Sequence, residues 1–323
     1  MVLSREEALY RAAQMYYVND EKMDAIASSL GVSRSTVSRM LKEARESGTV
    51  RITLTPHASS ISKLSQELAD VFGVAVHVAM VRRALSDQRR RDAVARVAAR
   101  LLEEWVQPGS TVGVAWGTTV SAVATQLQPQ PVADVHIVQL NGAANSSTTG
   151  IPYASTIIAR LADAFGAEST FFPVPAFFDY AATREAMWQE RSVQRVLHMQ
   201  QRCDLALFGV GGLSSGSDSH VYQAGYVAPE DLAELTTQGA VGDVCTVLLR
   251  EDGSYADIAL NSRATGPTPR ELARIPRRLC AAVGDSRVPA IIGALRAGVA
   301  TDLVIDEITA GTILKRVTAR PAR

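Results

Sequence analysis

Covalent bracing is nearly absent from this chain. Only three of its 323 residues are cysteine, Cys203, Cys245 and Cys280. They are odd in number and widely spaced, which predicts neither a disulfide framework nor a cysteine-based metal site. Buried free thiols in a reducing compartment fit that usage. No run of about 18 apolar residues occurs, and no leader-like N-terminal segment, so membrane insertion and secretion are not expected and a cytoplasmic location is. Net charge is also missing, with 33 Lys plus Arg against 33 Asp plus Glu. A neutral chain does not attract polyanions through bulk charge. Any affinity for nucleic acid must come from a local patch, multiplied by association of copies. With 47 % hydrophobic residues, the length allows one large or two moderate domains with a sizeable core.

What is present is unevenly distributed. Gly31 to Leu41, "GVSRSTVSRML", sets serines, a threonine and two arginines around three large apolar residues. Val37, Met40, Leu41 and Ala44 recur at i, i+3, i+4 and i+7, one face of an α-helix; Ser35, Ser38, Arg39 and Lys42 occupy the opposite face. Ser33 is suited to cap that helix, because its hydroxyl can accept a backbone N–H left unpaired in the first turn. Upstream, Met23, Ile26, Ala27 and Leu30 form a second stripe, and Gly31 supplies the break between the two. The spacing predicts a helix-turn-helix whose second helix enters the major groove of DNA. An ordinary helical hairpin with a solvated face would show Glu/Lys alternation. Here five Arg/Lys face two Glu between Gly31 and Thr55. Ser33, Arg34, Ser35, Thr36, Ser38, Arg39, Lys42 and Arg45 are the candidate DNA-binding residues. Ser35 and Arg39 are expected at base edges, Lys42 and Arg45 at phosphates.

Residues 1–55 are therefore read as a DNA-binding domain of three helices and a short strand, "TVRITL", and residues 56–323 as a second domain. "PHASS" (56–60) is the candidate linker, followed by a helix with Ile61, Leu64, Leu68, Val71 and Phe72 on one face. From there on, apolar strand-like runs alternate with helical stretches. The runs are "VAVHVAMV", "TVGVA", "VHIVQL", "TFFPV", "DLALFGV", "DVCTVLL", "RLCAAV" and "TDLVID". This alternation predicts a mostly parallel α/β sheet covered on both faces. Three of the strands end in Gly- or hydroxyl-rich turns, "AWGTT", "LNGAANSSTTG" and "FGVGGLSSGS". Ligands of open α/β sheets bind beyond the carboxyl ends of strands, so these turns mark the expected site. A charge run between Arg82 and Arg100, seven Arg against two Asp, is read as a solvated helix face, with a second DNA contact or an acidic partner as the alternative.

The turn Gly117-Thr118-Thr119 delivers a strand to a helix N-terminus, where free N–H groups and two hydroxyls suit an anion. A capping turn without a ligand would look the same. Taken together, "SLGVSRSTVSRMLKEARESGTVRITL", "GVAWGTT", "IVQLNGA", "LFGVGG", "QGAVGDV" and "TDLVIDEITAGTIL" resemble, in order and over nearly the whole chain, the SorC family of sugar-responsive, DeoR-like bacterial transcription regulators.

The resemblance implies a winged helix-turn-helix followed by a Rossmann-like domain similar to phosphosugar isomerases and deaminases. It also implies a homo-oligomer, dimer or tetramer, on palindromic double-stranded DNA, with a sugar or phosphosugar effector and no cofactor or metal. Carried over residue by residue, it places Gly117, Thr118 and Thr119 at the phosphate-holding turn, and Asn141 and Gly142 at the sugar hydroxyls. Gly209, Gly211 and Gly212 fall at a further wall of the pocket, with Asp243 and Gln223 towards the ligand. Asp243 could equally be a turn-capping residue. Where the family usually has lysine, this chain has Arg287, which can clamp a phosphate bidentately and cannot form a Schiff base. An isomerase with an accessory DNA-binding segment is the competing function. It needs a carboxylate base near the reacting carbon, and "GVGGLSS" offers none before Asp218. His136, His198 and His220 are read as structural, so a sensor rather than an enzyme is expected.

Overall fold

The computed structural model describes residues 4–50, 63–81, 86–145, 151–214 and 219–319. The chain divides into two compact units, residues 1–60 and residues 61–323. The expected wing strand beyond Val50 and the 56–60 linker lie outside the described residues, as does the boundary drawn after residue 55.

In the first unit, helices α1 (Arg5–Tyr17), α2 (Met23–Leu30) and α3 (Arg34–Glu46) pack around Leu9, Ala12, Ile26, Val37, Leu41 and Ala44. Ser4 and Glu7 close a capping box at the start of α1, each satisfying a backbone N–H of the other's turn. Gly31 ends α2 in the left-handed conformation at φ 66°, which only glycine adopts without steric cost. Ser33 then caps α3 by accepting the N–H of Thr36 at 3.1 Å.

The second unit opens with α4 (Lys63–Phe72), β1 (Ala75–Ala79), α5 (Asp87–Trp105), β2 (Thr111–Val114), α6 (Thr118–Gln126) and β3 (His136–Gln139). It continues through α7 (Ile151–Phe165), β4 (Glu168–Thr170), α8 (Ala181–Met187), α9 (Arg191–Gln201) and β5 (Leu205–Phe208). Then come β6 (Gly211–Gly212), α10 (His220–Gln223), α11 (Pro229–Thr237), β7 (Ala240–Val244), β8 (Val247–Arg250) and α12 (Pro269–Leu272). The chain closes with β9 (Arg277–Ala282), α13 (Val288–Arg296), β10 (Asp302–Asp306) and α14 (Glu307–Thr318).

Seven strands form one parallel sheet in the order β1-β10-β9-β5-β2-β3-β4. Its strands are apolar on both faces because both faces are covered. Leu205 and Leu207 join the core under α5, α6 and α7, whereas Ala206 and Phe208 join the opposite core with α4, α9, α13 and α14. Leu279 and Ala281 alternate with Cys280 and Ala282 in the same way.

Two strand expectations are corrected. "TFFPV" is not a strand: β4 stops at Thr170, Phe171 is exposed, and Pro173 and Pro175 interrupt the ladder beyond. "DVCTVLL" folds back on itself as the β7–β8 hairpin of a separate antiparallel sheet, β6-β7-β8. Its reversal falls at Cys245 and Thr246, both at positive φ (51° and 70°). Two successive positive φ values are what a two-residue hairpin turn demands. Neither residue signals such a turn in sequence.

Candidate functional site

Strand order reverses between β2 and β5. From β2 the chain moves through β3 to β4 on one side, and β5 leads to β9 and β10 on the other. A parallel sheet opens a crevice at such a point, beyond the carboxyl ends of its strands. A pocket of about 470 Å³ lies there, lined by Gly117, Thr118, Thr119, Asn141, Gly209, Gly211, Asp243 and Arg287 among others. Eight of the eleven residues expected at an effector are thereby brought together from five separate segments of the chain.

Each wall has a local cause. Gly117 precedes α6 in extended backbone, and no side chain caps that helix, so its first-turn N–H groups face the pocket mouth with the Thr118 and Thr119 hydroxyls. The space a side chain at Gly117 would occupy is open. Arg287 ends a short 3-10 turn after β9. It is 4 % exposed and donates from Nη1 to the Val283 carbonyl at 2.9 Å. Burial first, and the nearby positive charge of Arg91 second, push its pKa down to about 10, so the guanidinium stays charged near neutral pH. The lining also carries two acceptors. Asp243 spends Oδ2 on the N–H of Thr246 (3.0 Å), closing the strained hairpin turn, while its Oδ1 is buried beside the Tyr222 hydroxyl with no well-formed hydrogen bond. Asn141, 1 % exposed, likewise has a buried Oδ1 without a partner. Desolvation raises the Asp243 carboxyl to about 6, opposed by Tyr222 and the Thr246 N–H. Gly211 is required here, because a Cβ on it would come within 2.0 Å of Asp243 Oδ1.

Three of the expected residues are not brought into this lining. Gly142 is outside the lining and serves packing: its N–H donates to Thr265 Oγ1, its carbonyl accepts from Trp116 Nε1, and a Cβ on it would meet Pro175 O at 2.0 Å. Gln223 ends α10 away from the lining, and Gly212 is buried within β6. His220, read as structural, lines the pocket and stacks on Tyr153 at 4.2 Å and against Trp116 at 6.1 Å. Trp116 also lines the pocket, with Tyr226 packed on it at a ring-centroid distance of 4.9 Å, and Ser219 and Thr246 add hydroxyls to the lining. The crowding of "SHVYQAGY" with aromatics was the available signal, too short to be read as one surface. His136 instead faces Thr170 and Glu168, and His198 is exposed on α9.

Arg82 and Arg83 of the charge run lie outside the described residues, and the rest is a solvated face only in part. Arg89, Arg96 and Arg100 are exposed, but Arg90 and Arg91 are buried. Arg90 donates from Nε to Asp306 Oδ1 (3.0 Å) and from Nη2 to Thr309 Oγ1 (2.8 Å). Lysine occurs only at positions 22, 42, 63 and 315, none of them in the lining, so no lysine amine is available to capture an aldehyde there.

On α3, Arg34, Ser35, Ser38, Arg39, Lys42 and Arg45 are exposed, with Ser33 at the cap and Thr36 half-buried. Ser33 Oγ lies 2.8 Å from Ser35 Oγ and 2.9 Å from Thr36 Oγ1, and Arg45 Nη1 donates to the Tyr17 hydroxyl at 2.7 Å. Arg34 faces Asp24 and Lys42 faces Glu46, both loosely at 3.7 Å. Exposed pairs of this length contribute little and can yield to phosphates.

A three-helix unit with a cationic third helix, followed by a parallel α/β domain with a polar crevice, has the architecture of a ligand-responsive DNA-binding protein. The family described as "Putative sugar-binding domain" matches residues 57–315. The deoxyribonucleoside regulator of Bacillus subtilis is 31 % identical over 311 residues, 96 % of this chain and 98 % of that protein. A crystallised domain of "a possible sugar-binding transcriptional regulator" from Arthrobacter aurescens superposes with TM-score 0.74 at 43 % identity, covering 80 % of this chain and all of that one. The full-length sorbitol operon regulator SorC of Klebsiella pneumoniae shares the fold, with TM-score 0.76 at 24 % identity over 97 % of this chain and all of that one. The chain belongs to this family of sugar-binding transcriptional regulators. No helix among the described residues is long and apolar enough to cross a membrane.

Proposed function

We propose that this protein regulates transcription of carbohydrate, polyol or deoxynucleoside catabolic genes, and that a phosphorylated sugar in the switch-point crevice controls its binding to operator DNA. One observation carries the reading: the crevice brings together an uncapped helix N-terminus, a buried guanidinium and two buried acceptor oxygens, of Asp243 and Asn141, that make no well-formed hydrogen bond. A buried acceptor left unpaired costs about 1–3 kcal/mol, so the site calls for a ligand that donates hydrogen bonds at one end and carries negative charge at the other. A polyhydroxylated phosphate ester does both, and the aromatic wall suits the C–H face of a sugar.

The site binds without turnover in this reading. Asp243 is the one carboxylate in the described lining, and burial lowers the pKa of His220, so no poised acid–base pair flanks a reacting carbon. Ligand then acts only through its differential affinity for two states of the protein. On DNA, Ser35 and Arg39 read base edges, while Ser33, Arg34, Thr36, Ser38, Lys42 and Arg45 seat the helix on the backbone. One such helix makes few phosphate contacts, so a dimer or tetramer on a palindromic operator completes the proposal.

A thermal-shift screen of free and phosphorylated pentoses, hexoses and polyols tests it, because a ligand of the native state raises its melting temperature. A phosphate ester is expected to stabilise more than its free sugar. Arg287→Ala is expected to weaken it by roughly 10- to 150-fold, as loss of a charge-assisted hydrogen bond implies, with basal DNA binding intact. Preference for the free sugar, unchanged by Arg287→Ala, would overturn the phosphate assignment.

A further inference from the structure

A separate hollow, of about 530 Å³, shares no lining residue with the effector crevice. Its size falls within the range of small-molecule sites, about 300–1,000 Å³. Leu140, Leu197 and Ile275 give it apolar surface, and Arg184, Gln200 and Thr265 supply polar groups.

The charges in this lining are unequally engaged. Arg184, half-buried on α8, donates from Nε to the Ala264 carbonyl at 2.7 Å, and its guanidinium carbon lies 4.5 Å from the centre of the Trp188 ring. These two contacts set the guanidinium plane. Among the described residues neither of its Nη groups has a hydrogen-bond acceptor. Burial lowers the Arg184 pKa, so the charge stands where water solvates it poorly. Glu271, exposed in the same lining, spends Oε2 on the N–H and the hydroxyl of Thr268, both at 2.8 Å. Arg274, also exposed, adds a second positive charge.

Hollow and crevice meet at the turn after β3. Leu140 lines the hollow, and Asn141 lines the crevice. Gln200 donates from Nε2 to the carbonyls of Gln139 (2.8 Å) and Leu140 (3.1 Å), and Thr265 Oγ1 accepts the N–H of Gly142 at 3.0 Å. From the crevice, Trp116 Nε1 donates to the Gly142 carbonyl at 2.9 Å. Residues 139–142 are thus held by two polar side chains of the hollow and by one of the crevice. A close-packed interior passes displacement on rather than absorbing it, so a shift of this backbone on one side is felt on the other.

We propose that this hollow is a second ligand site, for a small monocarboxylate with an apolar body, and that its occupancy is transmitted to the effector crevice through residues 139–142. A carboxylate accepts the two Nη donors of Arg184 as a planar, bidentate pair, while the body packs on Leu140, Leu197 and Ile275. Glu271 opposes a second negative charge, which separates this ligand from a phosphate dianion. The second site stands whatever the crevice binds; only the link between the two rests on the effector reading. Such a link is reciprocal, each ligand changing the other's affinity by the same factor.

The test uses the full-length protein, with benzoate as probe and benzamide as its neutral counterpart, titrated by ligand-observed NMR. Wild-type protein is expected to bind benzoate roughly 10-fold or more tightly than benzamide. Arg184→Gln should abolish that preference, and Arg184→Lys should keep part of it. Leu197→Trp, which fills the hollow and leaves Arg184 in place, should weaken both probes. Arg287→Ala, in the crevice, should match wild type for both. Hydrogen exchange read by mass spectrometry should show benzoate slowing exchange in residues 116–121, which do not border the hollow, in wild type and not in Arg184→Gln. No preference in wild type, or an equal one in Arg184→Gln, would overturn the second site. Loss of benzoate binding in Arg287→Ala alone would place the probe in the crevice and overturn it too. Preference with unchanged exchange at residues 116–121 would overturn the link.

Discussion

The two polar surfaces of this protein are built in opposite ways. The proposed DNA-binding surface is one helix thick. Its residues lie within Ser33–Arg45, are mostly exposed, and bond chiefly to near neighbours on α3 or loosely across to α1 and α2. The proposed effector crevice draws on the ends of β2, β3, β5, β7 and β9, and its Thr119, Asn141, Asp243 and Arg287 are buried. In the first, water already satisfies every group, so the free surface is stable and DNA displaces water and ions. In the second, desolvation has been incurred during folding and the ligand completes what the walls leave open. Removing a side chain should therefore change chiefly binding on α3, the Ser33 cap apart, but stability and binding together in the crevice.

The sharpest test of that contrast is the buried scaffold. Asp306→Ala leaves the Arg90 guanidinium without its main counter-charge and is expected to destabilise the second unit by about 3–5 kcal/mol. Chemical denaturation followed by a probe in that unit measures this. A loss under about 1 kcal/mol would mean that crevice and α3 obey the same surface rules.

Next in size is the pH response of Asp243. Its folded carboxyl sits near 6, above the ordinary value of 3.8. The native state therefore binds more protons than the unfolded chain between about pH 4 and pH 6. Stability from this group is present at low pH and declines as pH rises through that window, by about 3 kcal/mol in all. Asp243→Asn should flatten that part of the stability–pH curve. An unflattened curve would show that the carboxyl is not desolvated.

On α3 the expected effects are smaller and confined to DNA. Arg39→Ala should cost about 1–3 kcal/mol of discrimination and relax base preference. Lys42→Ala should weaken all sequences alike and lower the salt slope by about one. Neither should shift the melting temperature by more than a degree or two, which a thermal scan beside a DNA titration would show. Smallest is Ser33→Ala, which removes the cap on Thr36 N–H and should cost about 1 kcal/mol of local helix stability. Hydrogen exchange in the first turn of α3 would register it.

The contrast also explains what could be read from residues in order. The helix-turn-helix was legible because its signals are local: an apolar stripe of period 3.6, a Ser cap, a Gly break. The strands of the parallel sheet were legible as apolar runs, and their Gly-rich ends pointed to the crevice. Gly142 misled because a glycine in a ligand turn and a glycine under Pro175 look alike in sequence. His220 was missed because its aromatic partners Trp116 and Tyr153 lie far away along the chain. The "DVCTVLL" hairpin was hidden because its turn uses Cys245 and Thr246 where asparagine and glycine would announce it.

By itself, the sequence determined the helices, the caps, the alternation of strand and helix, and the chemical character of each turn, since these depend on neighbours within a few residues. Only the tertiary structure decided which turns share a pocket, because strand order, not chain order, sets which carboxyl ends adjoin. It also decided which arginines of one run face water and which are buried. Arg89 and Arg90 are adjacent in sequence, yet the 100° rotation per residue of α5 turns one outward and the other onto Asp306.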